Sequence, residues 1–142
     1  MSENIKYRWS FIVSLGISLF IFSSCSQLIF DPNFNTGKKL SSQGQDADAI
    51  EYFELALRDN PNNQGVWFML GYSYYNLGRY KEAIQAYDRS RSLTPECVYS
   101  ACEYSDYPSI LFNIGLSYQQ LGNYQNARIY FEEAIRIYPD FS

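Results

Sequence analysis

Cysteine is the residue type in this chain whose spacing most clearly suggests chemistry. The 142-residue sequence holds three cysteines and no histidine. Cys97 and Cys102 lie five positions apart between two segments with helical patterns, and Cys25 follows an apolar run near the amino terminus. In an exported protein, Cys97 and Cys102 can close a small disulfide loop, for which the loop-entropy model gives about 2 kcal/mol.

Three other uses of these thiols are less well supported by the sequence. A zinc site takes four ligands, and the chain offers no histidine and no further cysteine besides Cys25. Thiol redox enzymes usually carry C-x-x-C, whereas Cys97 and Cys102 form C-x-x-x-x-C. A reactive thiol stays open as an alternative, although only Arg91 offers a positive charge nearby. The disulfide is therefore the favoured interpretation.

Composition excludes several classes of function. Without histidine, the chain lacks the usual general base and metal ligand at neutral pH, which excludes hydrolase triads built on histidine. The formal net charge is −4, and no run of Lys or Arg alternates with the aromatic residues. A nucleic-acid partner is disfavoured because its phosphates would be repelled. We expect a noncatalytic protein with no cofactor and no bound metal.

The amino terminus has the layout of an export signal. Lys6 and Arg8 precede an uncharged apolar run at residues 9–22, which is shorter than the ~20 residues that span a membrane. Residues 22–25 read FSSC, an apolar residue and two small residues before a cysteine. This arrangement resembles the lipobox of bacterial lipoproteins. The resemblance implies cleavage before Cys25 and attachment of lipid, such as palmitate, to that residue.

On this interpretation, residues 1–24 are a signal peptide, and residues 25–32 are the lipidated cysteine and a short tether. An ordinary cleaved signal peptide and an uncleaved anchor are the two alternatives. All three export the rest of the chain. We therefore expect a protein anchored by lipid in the bacterial cell envelope, with the outer membrane favoured over the inner one.

The elements that must position any site are helical hairpins, and the stretch from residue 64 to residue 97 shows the pattern best. Apolar and small residues recur there at helical spacing in two groups: Trp67, Leu70, Gly71 and Tyr74, then Tyr80, Ala83, Ile84 and Tyr87. This spacing predicts two amphipathic helices. Gly78 is expected to end the first helix, and Pro95 stops the second.

The same pattern recurs on both sides of this stretch. Positions 44 residues downstream match it: Gly115, Tyr118, Leu121, Gly122, Tyr124, Ala127, Phe131, Ala134 and Pro139. Positions 34 residues upstream also match it: Gly37, Leu40, Gly44, Ala49, Phe53, Ala56 and Pro61. A 34-residue hairpin with W-x-x-L-G-x-x-Y, a glycine, A-x-x-x-Y and a final proline resembles the tetratricopeptide repeat family.

That resemblance implies an all-α fold, a right-handed α-solenoid of three helical hairpins preceded by an N-terminal signal or lipidation helix. The repeat domain would cover residues 33–141, with repeats at about 30–63, 64–97 and 108–141 and an insert at 98–107. The insert is expected to shape the rim of the binding groove. The first repeat is degenerate, because Asn33 and Thr36 replace the usual large apolar residue and leucine.

In this family the first helices of successive repeats line a concave groove that holds peptides. The resemblance implies the following lining here: Phe34, Lys38, Ser41 and Ser42, then Phe68, Tyr72, Tyr75 and Asn76, then Phe112, Leu116, Gln119 and Gln120. The lining is aromatic and neutral, and Lys38 alone does not make a carboxylate clamp. Phe68, Tyr72 and Tyr75 are expected at the centre, because they lie off the stripe used within the hairpin. The alternative is that these aromatic rings only pack helix on helix.

A second interface is predicted at the carboxyl-terminal edge. The last helix carries an apolar stripe away from the Ala127 and Phe131 side: Tyr130, Ala134, Ile137 and Tyr138. Because no further repeat follows in this sequence, the stripe is expected to be exposed and to pair with a second copy or with a partner's helix. The alternative is that Phe141 covers it.

Together these features predict a noncatalytic, membrane-tethered interaction module. Its partner would be a peptide segment or helix of another envelope protein, in a complex for envelope assembly, secretion or cell-wall synthesis. The first alternative is a structural spacer whose groove stays empty. The second is a thiol redox protein that uses Cys97 and Cys102.

Overall fold

The computed structural model describes residues 31–94 and 106–137, which form six α-helices and no strand. The helices are α1 (Pro32–Ser42), α2 (Asp46–Asp59), α3 (Gln64–Asn76), α4 (Tyr80–Leu93), α5 (Tyr107–Gln120) and α6 (Tyr124–Ile137). They follow one another as three hairpins, α1 with α2, α3 with α4, and α5 with α6. For the described residues, the predicted all-α class and the order of the hairpins are confirmed.

The first helix of each hairpin ends at a glycine with positive φ. The three glycines are Gly44, Gly78 and Gly122, with φ of 75°, 73° and 73°. After α3, the backbone N–H of Arg79 donates to the carbonyl of Tyr74 at 2.9 Å, and that of Gly78 donates to Tyr75 at 2.9 Å. These bonds close the end of the helix, and a side chain at the glycine would be strained.

The apolar core runs from each hairpin into the next. Phe53 and Ala56 of α2 are buried with Val66 and Leu70 of α3 in one cluster, which also takes in Ala86 of α4. A second cluster joins α4 to α5 through Ile84, Tyr87, Ile110 and Ile114. A third joins Tyr107 and Leu111 of α5 to Ala134 of α6. Each hairpin therefore buries apolar surface against its neighbour, as repeat proteins do.

The structure corrects the prediction for the carboxyl-terminal edge. Ala134 is fully buried against Tyr107 and Leu111 of α5, and Tyr130 and Ile137 pack against the same cluster. The reason is that this face of α6 points back toward the preceding repeat, so that the guanidinium of Arg91 in α4 lies 6.0 Å from the centre of the Tyr130 ring. In the described part of the stripe, Ala134 is therefore buried and Tyr130 and Ile137 are half-buried, so the stripe does not form a free apolar edge.

Several predictions lie outside the described residues. These are the signal or lipidation helix, Cys25, the cysteine pair Cys97 and Cys102, Tyr138 and most of the predicted insert. Helix α5 begins at Tyr107, within the last position of that insert. Among residues 31–94 and 106–137, no helix has the length and apolar character needed to cross a membrane.

Candidate protein-binding face

The residues predicted to line the groove lie on α1, α3 and α5, and we call them the inner face. Within this set, Tyr72 is 42% exposed and Phe112 is 37% exposed. Lys38, Ser42, Asn76, Gln119 and Gln120 are exposed as well, whereas Phe34, Phe68, Tyr75 and Leu116 are half-buried and Ser41 is buried. Helix α3 contacts α5 directly, which places their parts of the inner face side by side.

Phe68 and Tyr75 are more involved in packing than the sequence suggested. The ring of Phe68 lies 5.6 Å from that of Tyr87, and the ring of Tyr75 lies edge-on to Tyr80 at 5.5 Å. Both residues pack against the cluster that joins α4 to α5. The prediction that Phe68 and Tyr75 lie off the hairpin stripe is therefore wrong, because their rings contact residues of α4. Tyr72 is the tyrosine of this group that presents the most surface.

Beneath this part of the inner face lies the buried hydroxyl of Tyr87. Within the described part of the chain, this hydroxyl has no hydrogen-bond partner. Burial raises the pKa of Tyr87 well above its usual value, and the neighbouring Tyr72 and Tyr75 raise it further. The Tyr87 side chain therefore stays neutral, and α3 packs against an uncharged aromatic ring.

The first repeat adds a ring and a positive charge. Phe34 packs against Phe53 with 6.1 Å between ring centres, and the ammonium of Lys38 lies 5.4 Å from the centre of the Phe34 ring. This distance is within the range of a cation–π contact, worth about 0.5–1 kcal/mol at an exposed site. Lys38 is the charged member of the predicted lining, so the inner face remains close to neutral.

A buried carboxylate outside the predicted site residues joins the first repeat to the second. Asp46 accepts hydrogen bonds from Ser41 Oγ at 2.9 Å and from Asn76 Nδ2 at 3.0 Å. Ser73 Oγ reaches Ser41 Oγ at 3.4 Å within the same network. The Asn76 amide is therefore used in an internal hydrogen bond, although Asn76 was predicted to face the ligand. The available signal was an acidic residue at the start of α2, directly after the turn at Gly44.

The third repeat contributes a ring and two amides. Phe112 packs against Phe131 with 5.3 Å between ring centres and keeps part of its surface exposed. Asn113 Nδ2 donates to the carbonyl of Ser109 at 2.7 Å, so this amide is satisfied within α5. Gln119 and Gln120 are exposed at the end of the same helix. This part of the inner face can supply apolar area and neutral hydrogen-bonding groups.

The inner face has the chemistry of a binding surface. Its exposed groups are aromatic rings and amides, which give contact area and hydrogen bonds without strong charge. Within residues 31–94 and 106–137, no three acidic, cysteine or histidine side chains come together as a metal site would need. All three cysteines lie outside these ranges, so the structure does not test the predicted disulfide or the lipidation.

Comparison with known proteins agrees with this architecture. The sequence is 37% identical over 81 residues to the peroxisomal targeting signal receptor of Saccharomyces cerevisiae, covering 57% of this chain and 12% of that protein. It is 28% identical over 98 residues to human superkiller complex protein 3, covering 69% of this chain and 6% of that protein. The chain thus spans only a small part of these curated relatives.

Solved structures show the same fold. The crystal structure of MamA superposes with a TM-score of 0.66 at 23% identity, covering 77% of this chain and 58% of that one. The N-terminal domain of stress-induced protein 1 from C. elegans gives a TM-score of 0.62 at 13% identity, covering 75% of this chain and 81% of that one. The sequence model described as tetratricopeptide repeat matches residues 65–140. The chain belongs to the tetratricopeptide repeat family.

Proposed function

We propose that this protein is a noncatalytic interaction module that binds an extended or helical segment of another protein on its inner face. The fold supports this role, since a tetratricopeptide solenoid serves as a protein–protein interaction module. One of the relatives is named as a receptor for a targeting signal. The proposed ligand is a peptide segment with apolar side chains and few charges, because the lining is aromatic and nearly neutral.

The observation that carries this proposal is the exposure of Tyr72. Tyr72 is 42% exposed in the second half of α3, while Phe68 and Tyr75 on either side are packed. Tyrosine offers a large contact area at a low entropic cost, which is why it is enriched at recognition surfaces. Phe112 on the adjacent α5 extends the same apolar area.

The location in the cell is the second part of the proposal. Residues 22–25 and the apolar run before them support export and lipid attachment at Cys25. A lipid would confine the inner face to a membrane surface, so a partner held at the same membrane would meet it at raised effective concentration. We therefore place the protein in the bacterial cell envelope, as an accessory subunit of an assembly, secretion or cell-wall complex.

Recovery of partners from envelope membranes tests the inner face. The full chain and a Tyr72→Ala variant are used as baits, and recovered proteins are identified by mass spectrometry. We expect the variant to keep its helicity, because Tyr72 is exposed, and to lose the main partner. Tyr52→Ala is the matched control, since Tyr52 is a 37% exposed tyrosine on α2, outside the inner face. Equal recovery by all three baits would contradict the proposal.

The two alternatives give different results in the same material. A structural spacer with an empty groove would recover no partner that depends on Tyr72. A thiol redox protein would keep its function in the Tyr72→Ala variant and lose it when Cys97 and Cys102 are both replaced by serine. We do not include a homodimer through Tyr130, Ala134, Ile137 and Tyr138, because Ala134 has no exposed surface.

A further inference from the structure

A second groove lies between α2 and α4, with α3 as its floor. It has a volume of about 660 Å³, with Trp67, Leu70 and Tyr74 of α3 on its floor and Glu54, Arg58 and Arg89 among the residues of its walls. This volume is in the range of typical ligand pockets, about 300–1,000 Å³. The rim residues Glu54, Arg58, Gln85 and Arg89 are exposed, so the groove is open along its length.

This groove uses a different face of α3 from the inner face. A helix turns about 100° per residue, so Trp67, Leu70 and Tyr74 lie on one side of α3. Tyr72 lies roughly 160° away from Tyr74 around the axis of the same helix. A ligand in the groove between α2 and α4 would therefore not touch the residues proposed above to bind a peptide.

The floor of the groove is apolar and its two ends differ in charge. Leu57, Trp67, Leu70 and Ala86 belong to the first core cluster or pack against it, and Trp67 and Leu57 are only half-buried. This leaves apolar surface that a ligand could cover.

The positive end of the groove lies at the turn between α2 and α3. Arg89 donates to Asn62 at 3.1 Å, and Trp67 Nε1 donates to the carbonyl of Pro61 at 2.8 Å, which fixes both side chains at this turn. Arg58 lies one residue before the end of α2, at the same turn. Within the described residues, neither Arg58 nor Arg89 forms an ion pair.

The opposite end carries two carboxylates and one guanidinium. Tyr74 Oη lies 3.5 Å from Glu54 Oε1. Arg79 Nε lies 3.1 Å from Glu82 Oε1, and the Arg79 guanidinium carbon lies 4.5 Å from the centre of the Tyr74 ring. The summed charge of Glu54, Glu82 and Arg79 is negative by one. The groove is therefore polarised along its length, from two arginines at one end to a weakly acidic patch at the other.

We infer that the groove between α2 and α4 holds an amphipathic helix of a protein partner whose last turn carries carboxylates. Along α4 the two ends are marked by Glu82 and Arg89, which a helix separates by about 10 Å, or two turns. A helix of the partner would place apolar side chains on Trp67 and Leu70 and its carboxylates against Arg58 and Arg89. Its own dipole fits the same direction, because the negative end of the helix would meet the arginines.

A designed peptide tests this inference on the full chain. The probe is a labelled helical peptide of about 12 residues, blocked at both ends, with two leucines one turn apart and two glutamates in the last turn. A second peptide has lysines in place of the glutamates. We expect fluorescence anisotropy to show at least about tenfold tighter binding of the glutamate peptide. This preference would oppose the net charge of the chain, which is −4.

Charge reversal supplies the control. The Arg58→Glu and Arg89→Glu double variant is expected to prefer the lysine peptide, and circular dichroism checks that it remains folded. Arg128→Glu with Arg136→Glu changes the net charge by the same amount on exposed positions of α6 and should keep the original preference. Absence of binding by either peptide, or an equal response of both double variants, would overturn the inference.

The indole N–H of Trp67 locates the bound peptide. Its NMR signal should shift on addition of the glutamate peptide, both in the wild-type chain and in the Tyr72→Ala variant. A shift that disappears in the Tyr72→Ala variant would place the peptide on the inner face and overturn the inference. The inference would also be overturned if the wild-type chain self-associates and the Arg58→Glu and Arg89→Glu double variant does not, because the occupant would then be a second copy of this chain.

Discussion

Gly71 of α3 lies directly against the ring of Tyr87 in α4. A Cβ atom at Gly71 would be 2.7 Å from two carbons of that ring, closer than such atoms approach in proteins. Tyr87 is fully buried, and the centre of its ring lies 5.6 Å from the centre of the Phe68 ring, so the Tyr87 ring has little room to move. The close approach of the two helices in this hairpin therefore depends on the absence of a side chain at position 71.

The other two hairpins repeat this relationship. A Cβ atom at Gly37 would be 2.6 Å from the Phe53 ring, and one at Gly115 would be 2.6 Å from the Phe131 ring. The three glycines occupy the same position of their repeats, as do the three rings. The repeat thus preserves a contact between a glycine and a ring, while the ring itself changes between Tyr and Phe.

Replacement of Gly71 by alanine is expected to destabilise the protein. Alanine would favour the helix by up to about 1 kcal/mol, but the clash with the Tyr87 ring costs about 1–3 kcal/mol in a packed core. The second effect should dominate, because the ring cannot leave its site. We expect urea unfolding to show a loss of roughly 1–2 kcal/mol in the free energy of unfolding.

Gly65→Ala is the matched control within the same helix. At Gly65 the nearest atoms to an added Cβ lie at 3.6 and 3.7 Å, which is ordinary contact. This variant should leave the free energy of unfolding unchanged or raise it slightly. If Gly71→Ala is as stable as Gly65→Ala, the contact with Tyr87 does not set the distance between the helices.

The hairpins and their order could be predicted because helical spacing is visible in the sequence. Trp67, Leu70 and Tyr74 recur every third or fourth residue, and Gly78 marks the end of their helix. These features depend on local periodicity and backbone freedom, which a single sequence shows directly.

The neighbour that each helix face contacts could not be predicted as well. Spacing gives the direction of a residue around its own helix, but not which neighbour lies in that direction. Spacing therefore predicts Tyr130 and Ala134 on an exposed edge, although they pack against α5. Phe68 was expected to be free for a ligand, although its ring contacts Tyr87. The groove between α2 and α4 also depends on the distance between two helices that are not adjacent in sequence.

Tyr87→Phe should be neutral or stabilising at neutral pH. The Tyr87 hydroxyl is buried and has no hydrogen-bond partner within the described residues. Its removal therefore removes the free-energy cost of taking an unbonded hydroxyl out of water. We expect the free energy of unfolding to rise by roughly 1 kcal/mol or to stay unchanged. A clear loss of stability in urea unfolding would show that the hydroxyl is bonded in solution.

The same variant should change the response to alkaline pH. Burial raises the pKa of Tyr87 in the folded state, whereas the unfolded chain has a pKa near 10 for tyrosine. The contribution of the buried, neutral Tyr87 to the free energy of unfolding is fully present below pH ~10 and declines by about 1.4 kcal/mol per pH unit above it. Unfolding measured between pH 9 and 11, about the usual tyrosine pKa, should show a shallower decline in Tyr87→Phe than in the wild type.

Lipidation of Cys25 is tested by Cys25→Ala. If the FSSC segment directs cleavage and acylation, the variant should be released from membranes or retain its amino-terminal segment. Mass spectrometry and membrane fractionation measure both properties. The companion variant Cys97→Ala should leave them unchanged, since Cys97 lies far from the cleavage site in sequence. An unaltered mass and membrane fraction in Cys25→Ala would remove the lipoprotein assignment.

Asp46→Ala should loosen the junction between the first and second repeats. The Asp46 side chain is buried and accepts hydrogen bonds from Ser41 and Asn76, so its loss leaves two donors without their acceptor at the cost of about 1–3 kcal/mol. Asp48→Ala is the control, because Asp48 lies in the same first turn of α2 but is exposed. Both variants lose a favourable charge near the amino end of the helix, so the difference between them reports the buried hydrogen bonds. We expect Asp46→Ala to show the larger loss in urea unfolding and faster hydrogen exchange of the α1 amides. Equal losses in the two variants would mean that the charge, and not the network with Ser41 and Asn76, stabilises this junction.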